Sequence, residues 1–102
     1  MEEVFIARAG ALSADRSTDK KIQALCEAAG LDMMVSKGDL TAVKVHFGER
    51  GNDAFVPAMS VSAVVEEIKK IGAKPFLTDT NTLYLGGRRN SADHLETAAQ
   101  HG

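Results

Sequence analysis

The feature that most constrains this chain is an apolar stripe at Val61, Val64, Val65, Ile68 and Ile71, framed by short apolar runs at 40–45 and 74–79. The stripe follows i, i+3, i+4, i+7 spacing and predicts a helix with one buried side. Pro57 suits its first position, Glu66 and Lys70 form a supporting pair, Lys69 and Lys70 suit its negative end, and Gly72 closes it. A helix between two strand patterns reads as a crossover, and crossovers between parallel strands are right-handed.

The rest of the chain extends the pattern. Val4-Phe5-Ile6-Ala7 reads as a buried first strand, followed by a loose polar stretch at 10–16. Ser17 or Thr18 caps a helix with Ile22, Leu25, Cys26 and Ala29 inward, and Gly30 stops it. Residues 31–37 show no period and take no assignment; Gly38-Asp39 reads as a turn. In the strand at 40–45, Val43 and Val45 share one face, while Lys44 and His46 share the other. Pro75 is tolerated only near the start of the third strand. Asn90 caps a last helix, with Asp93 in its first turn and Leu95, Ala98 and Ala99 as its apolar side.

Strand and helix alternate three times, so the expected fold class is α/β: a three-layer, mostly parallel βαβαβα sheet within a larger Rossmann-like domain. Such a small sheet exposes its edges. Residues 1–102 are therefore expected to be a single α/β domain forming the N-terminal fragment of a longer protein, or a homo-oligomer that pairs an exposed edge.

Charge and cysteine usage narrow the function classes. A net charge of −2 with interleaved signs gives no footprint for nucleic acid or anionic lipid. No apolar run reaches the roughly 20 residues needed to span a bilayer, and the N-terminus lacks a basic secretory start. The expected compartment is cytoplasmic. Cys26 is the only cysteine, which rules out an intrachain disulfide or thiolate cluster, and its helix position suggests a buried structural thiol.

Two polar outcrops follow the strands, at Lys44-Val45-His46-Phe47-Gly48-Glu49 and at Thr78-Asp79-Thr80-Asn81-Thr82-Leu83-Tyr84. In open parallel sheets, ligands bind at the carboxyl ends of the strands. Lys44, His46 and Glu49 place a donor, an imidazole and a carboxylate together; alternatively His46 is a strand-end residue bonded to backbone. The loop from Gly48 through Asn52 to Asp53 could expose amides to an anion, but Glu49 and Asp53 repel phosphate and no phosphate-loop spacing is present. Asp79, Thr80 and Asn81 suit a hard cation, with His46 or His94 added for a transition metal, or else an Asx turn. Arg88 or Arg89 could clamp a carboxylate or lie on a solvated surface, with Tyr84 in the same loop. His101 is expected to be exposed. Ser60, Ser62 and Ser91 have no evident base partner.

Three ordered blocks carry a family resemblance: AVKVHFGERGN at 42–52, GAKPFLTDTNTLY at 72–84 and RRNSADHL at 88–95. Together they resemble the N-terminal part of the family catalogued as domain of unknown function 362, from about Leu40 onward. The resemblance implies an iron-sulfur centre protein of redox-linked metabolism, with ferredoxin-type cysteines in a downstream domain. This chain departs from that pattern, because it ends at Gly102 and has one cysteine. Cluster ligation is therefore carried over to no residue here. The polar set Lys44, His46, Gly48, Glu49, Asn52, Asp79, Thr80, Asn81, Tyr84, Arg88, Asp93 and His94 is carried over as motif positions without roles.

Three readings follow. The first is the α/β portion of a ferredoxin-linked iron-sulfur protein, with a strand-end site for a small anionic ligand or metal. The second is a divalent-metal-dependent enzyme of small-molecule metabolism, with His46 and Asp79 as ligands and Lys44 as an electrostatic or acid/base group. The third is a non-catalytic binding or assembly module.

Overall fold

A computed structural model describes residues 2–10 and 17–102. Its elements in chain order are α1 (Thr18–Ala28), α2 (Leu31–Met34), β1 (Leu40–Lys44), α3 (Ala58–Ile71), β2 (Lys74–Thr78) and α4 (Ser91–Gln100). β1 and β2 pair in parallel, with Leu40 opposite Lys74 and Lys44 opposite Thr78. The β1–α3–β2 crossover is thus the organising unit, as the apolar stripe predicts.

Local chemistry explains the element ends. The Ser17 side chain accepts from the Lys20 amide and starts α1. The Asn90 side chain accepts from the Asp93 amide and starts α4. α3 ends at Gly72, whose φ of 93° is a left-handed cap that glycine adopts without steric cost. Pro57 is the N-cap of α3, one position earlier than expected. The cations of its last turn pair at i, i+3 rather than i, i+4: Lys69 with Glu66 and Lys70 with Glu67.

Two expectations are corrected, and a stretch without assignment gains one. The run at Val4–Ala7 is not a strand: it pairs with no strand among the described residues, and Val4 and Ile6 are 81% and 85% exposed. An apolar run becomes a strand only when its backbone groups find a ladder; here the bond that ties it in is Lys21 Nζ donating to the Arg8 carbonyl. Residues 31–34 form the short helix α2. α1 buries none of its residues, so Cys26 is half-buried rather than enclosed. Of the polar stretch expected at 10–16, the part from residue 11 lies outside the described residues.

The described sheet is one-sided, so a three-layer arrangement is not seen. Val43 packs with Val64 and Ile71 against the buried cluster Val35, Ile68 and Ala73. By strand alternation and register, Leu40, Ala42, Lys44 and Phe76 share the opposite face. On that face Leu40 is 74% exposed and Phe76 is 44% exposed. Val35 and Ala73 precede the strands and Ile68 lies in the last turns of α3, so the apolar core sits at the amino end of the sheet. Ile68→Ala is expected to cost about 2–5 kcal/mol of unfolding free energy, measured by denaturant titration.

Candidate functional site

At the carboxyl end of the sheet the interior is polar. Asp79 follows β2 directly, and its side chain is 4% exposed; Arg88, on the loop leading to α4, has a side chain only 3% exposed. Arg88 Nη2 donates to Asp79 Oδ2 at 2.5 Å and to the Thr80 carbonyl at 3.4 Å. Its Nη1 reaches His46 Nδ1 at 3.1 Å, and its guanidinium carbon lies 4.6 Å from the Phe47 ring centroid. One buried cation thereby joins the outcrops that follow β1 and β2. Charge pairing, planar donor geometry and the aromatic face all favour arginine over lysine there.

Two further ties hold the loop. Glu49 accepts from the Tyr84 hydroxyl at 3.0 Å and from the Gly87 amide at 2.9 Å. The bond to Glu49 first, then burial and the Glu49 charge, push the Tyr84 hydroxyl above its ordinary pKa. Thr97 on α4 is fully buried; its hydroxyl donates to the Gly87 carbonyl at 2.8 Å and accepts from Arg50 Nε at 3.0 Å. Arg50 also bonds Glu96 at 2.9 Å.

The predicted site residues divide into supports and exposed groups. Lys44 and His46 leave β1 on the open face, with side chains 69% and 58% exposed. Lys44 Nζ is 3.8 Å from Asp79 Oδ1, and His46 Nδ1 is 3.8 Å from Asp79 Oδ2. Thr80 and Asn81 are exposed, and the Thr80 amide donates to Asp79 Oδ1 at 2.9 Å, so an Asx-type contact is present at the strand end. Asn52 is exposed and accepts from the Ala54 amide at 2.8 Å in a turn. Gly48 is buried at φ 78°, and a Cβ there would stand 2.7 Å from Phe55 Cδ1, so its role is conformational. Glu49 and Arg88 are both committed to internal bonds, which corrects the expectation of Arg88 as a free ligand clamp. Arg89 is exposed.

His94 is half-buried, edge-on to Phe47 at 4.8 Å, with Nδ1 buried and unpartnered. Asp93 is bonded into the α4 cap with Asn90. His101 is not free: its Nδ1 lies 2.5 Å from the Phe47 carbonyl, and its ring stacks on Phe55 at 4.4 Å. An apolar cleft of about 430 Å³ runs along β2 between α3 and α4. Phe47, Phe55, Val65, Phe76, His94 and Leu95 are among its walls, and Asp79 closes it toward the polar cluster.

Sequence reasoning missed Phe47, Arg50, Gly87 and Thr97 as supports of this end. Thr97 carries the one available signal, a hydroxyl next to the apolar positions of α4. Among the described residues, no group of three or more His, Cys, Asp or Glu side chains is placed to hold a metal ion, so His46, Asp79 and His94 do not assemble into one. Nor does the chain fit an iron-sulfur cluster, which takes about four thiolates. Burial first, then the charges of Glu67 and Glu27, raise the pKa of its single thiol, Cys26.

Fold and site together define an α/β segment with a polar cluster at the carboxyl ends of parallel strands. The family model described as Domain of unknown function (DUF362) matches residues 41–102, and the chain belongs to that family. The matched stretch holds β1 from its second residue, α3, β2, α4 and the whole polar cluster; α1 and α2 precede it. No curated protein and no solved structure matches the chain. No described helix is long and apolar enough to cross a membrane. Removing Arg88 would leave Asp79 buried without its cation, so Arg88→Ala is expected to cost about 3–5 kcal/mol, read as a lowered denaturant midpoint.

Proposed function

We propose that this segment binds a small anionic ligand at the carboxyl end of β1, with Lys44 and His46 as the contact residues. The observation that carries the reading is the division of labour around Asp79. Arg88 pairs with Asp79 inside the protein, whereas Lys44 and His46 stand exposed on one face of the same strand. Two cations, Lys44 and Arg88, pair with the Asp79 carboxylate, while Glu49 is turned to Tyr84 and Gly87. An anion gains from the exposed Lys44 and from a ring N–H. The ferredoxin-linked part of the family expectation draws no support from these residues, which hold a single thiol.

The test is titration with inorganic phosphate followed by calorimetry. Lys44→Ala and His46→Ala are each expected to weaken binding about tenfold. Lys44 is exposed, so Lys44→Ala is expected to hold stability within about 0.5 kcal/mol, whereas His46→Ala also removes the acceptor of the buried Arg88 Nη1 and is expected to cost about 1–3 kcal/mol. Undiminished binding in both variants would remove the assignment.

A further strand is proposed at the outer edge of β1, which supports the larger Rossmann-like reading. The Lys74 amide donates to the Asp39 carbonyl, and the Val45 amide to the Thr78 carbonyl. In a parallel ladder that phasing points the Ala42 and Lys44 backbone groups away from β2. On β2 the outward positions are Pro75 and Leu77, and Pro75 removes a donor, so β2 has the blunted edge. Helix α1 packs beside α3, where the crossover from a neighbouring strand would lie. Hydrogen exchange at Ala42 and Lys44 is expected to be as slow as at Val43; fast exchange at both would leave that edge unpaired.

A further inference from the structure

We infer that Arg88 is a positioning residue that fixes His46 as the Nε2–H tautomer, so that the site offers an N–H donor to ligands with acceptor-only oxygens, carboxylate or phosphate. The ligand half of this inference rests on the anion-binding reading above; the tautomer half stands without it.

A guanidinium has five N–H donors and no acceptor. With Arg88 Nη1 at 3.1 Å, His46 Nδ1 is the accepting nitrogen, and the ring proton resides on Nε2. Asp79 is the group that would otherwise draw that proton to Nδ1, since carboxylates commonly orient imidazoles in this way. Its Oδ2 is 3.8 Å from Nδ1, beyond hydrogen-bond reach, and already holds Arg88 Nη2 at 2.5 Å. Arg88 cannot readily swing aside: it is 2% exposed and lies against Phe47, and its carbonyl accepts from the Thr82 amide at 3.0 Å. The His46 ring remains 58% exposed, with its second nitrogen carrying the proton.

Ligand chemistry follows from the tautomer. A metal ion needs a lone pair at the outward nitrogen, and providing one would move the proton to Nδ1, against the Arg88 donor. An anionic oxygen takes the Nε2–H as it stands, with Lys44 beside it.

Long-range proton–nitrogen correlation spectra of isotope-labelled whole chain, with His46→Gln for assignment, read the tautomer directly. The expected result is a protonated Nε2 and a bare Nδ1 at His46 in the unsubstituted protein, and tautomer mixing in Arg88→Lys, which keeps the charge but loses the planar fork. A protonated Nδ1 in the unsubstituted protein overturns the inference, and this single measurement decides even if Arg88→Lys does not fold. An unchanged single tautomer in folded Arg88→Lys also overturns it. Titration with inorganic phosphate and with acetate is then followed at His46 Nε2. A response to phosphate alone supports a phosphate-bearing ligand, a response to acetate alone a carboxylate, and coordination of added zinc by His46 Nε2 overturns the ligand half. A fixed tautomer with no response to either anion supports the role of Arg88 and overturns anion binding, which separates the two failures.

Discussion

The carboxyl end of this fold depends on the buried ion pair between Arg88 and Asp79. Desolvating two charges is expensive, and the Coulomb attraction offsets that cost only when the remaining donors and acceptors are also satisfied. Here Asp79 takes Arg88 on one oxygen and the Thr80 amide on the other, and Arg88 adds His46, the Thr80 carbonyl and the Phe47 ring. Arg88 Nε has no partner among the described residues. The pair fixes where the loop after β2 can run, and neighbouring bonds then place Gly87 against Glu49 and Thr97. The position of α4 follows from those contacts.

The two ends of the sheet are therefore held by different physics. At the amino end Val35, Ile68 and Ala73 make a small apolar cluster, where contacts are interchangeable among residues of similar volume. At the carboxyl end Arg88 and Thr97 are buried polar residues, and their bonds demand particular partners at particular distances. A polar network specifies geometry more strictly than an apolar one, because each lost partner leaves a desolvated group unpaired. The end that needs a defined arrangement of groups is thus the end held by directional bonds.

Patterns with a local cause were legible in the sequence. The α3 stripe, the Gly72 stop, the Ser17 and Asn90 caps and both described strands each follow from residues within a few positions of one another. Features with a distant cause were not. Val4–Ala7 has strand composition, but pairing depends on a neighbour elsewhere in the chain. Arg88 and Arg89 are adjacent and chemically identical; only the position of Asp79 makes one buried and the other exposed. Glu49 and Gly48 read as site residues because they sit in a polar loop, yet Glu49 is consumed by Tyr84 and Gly87, and Gly48 by a backbone turn against Phe55. The outcrops marked the right region, while the division into supports and exposed groups required the three-dimensional contacts.

That division also bears on how strongly the site can act. Lys44 and His46 share their face with Leu40, which is 74% exposed, and with Phe76, which is 44% exposed. A unit charge acting over about 4 Å contributes roughly 1 kcal/mol in water but about 4 kcal/mol at the effective dielectric of a protein surface. The same two side chains would hold an anion weakly while this face is open and considerably more tightly once another layer excludes water from it. Leu40 and Phe76 on that face are apolar surface that such a covering would bury. Arg88 and Asp79 set the geometry within this chain, and the strength of the proposed anion site depends on what closes over the open face.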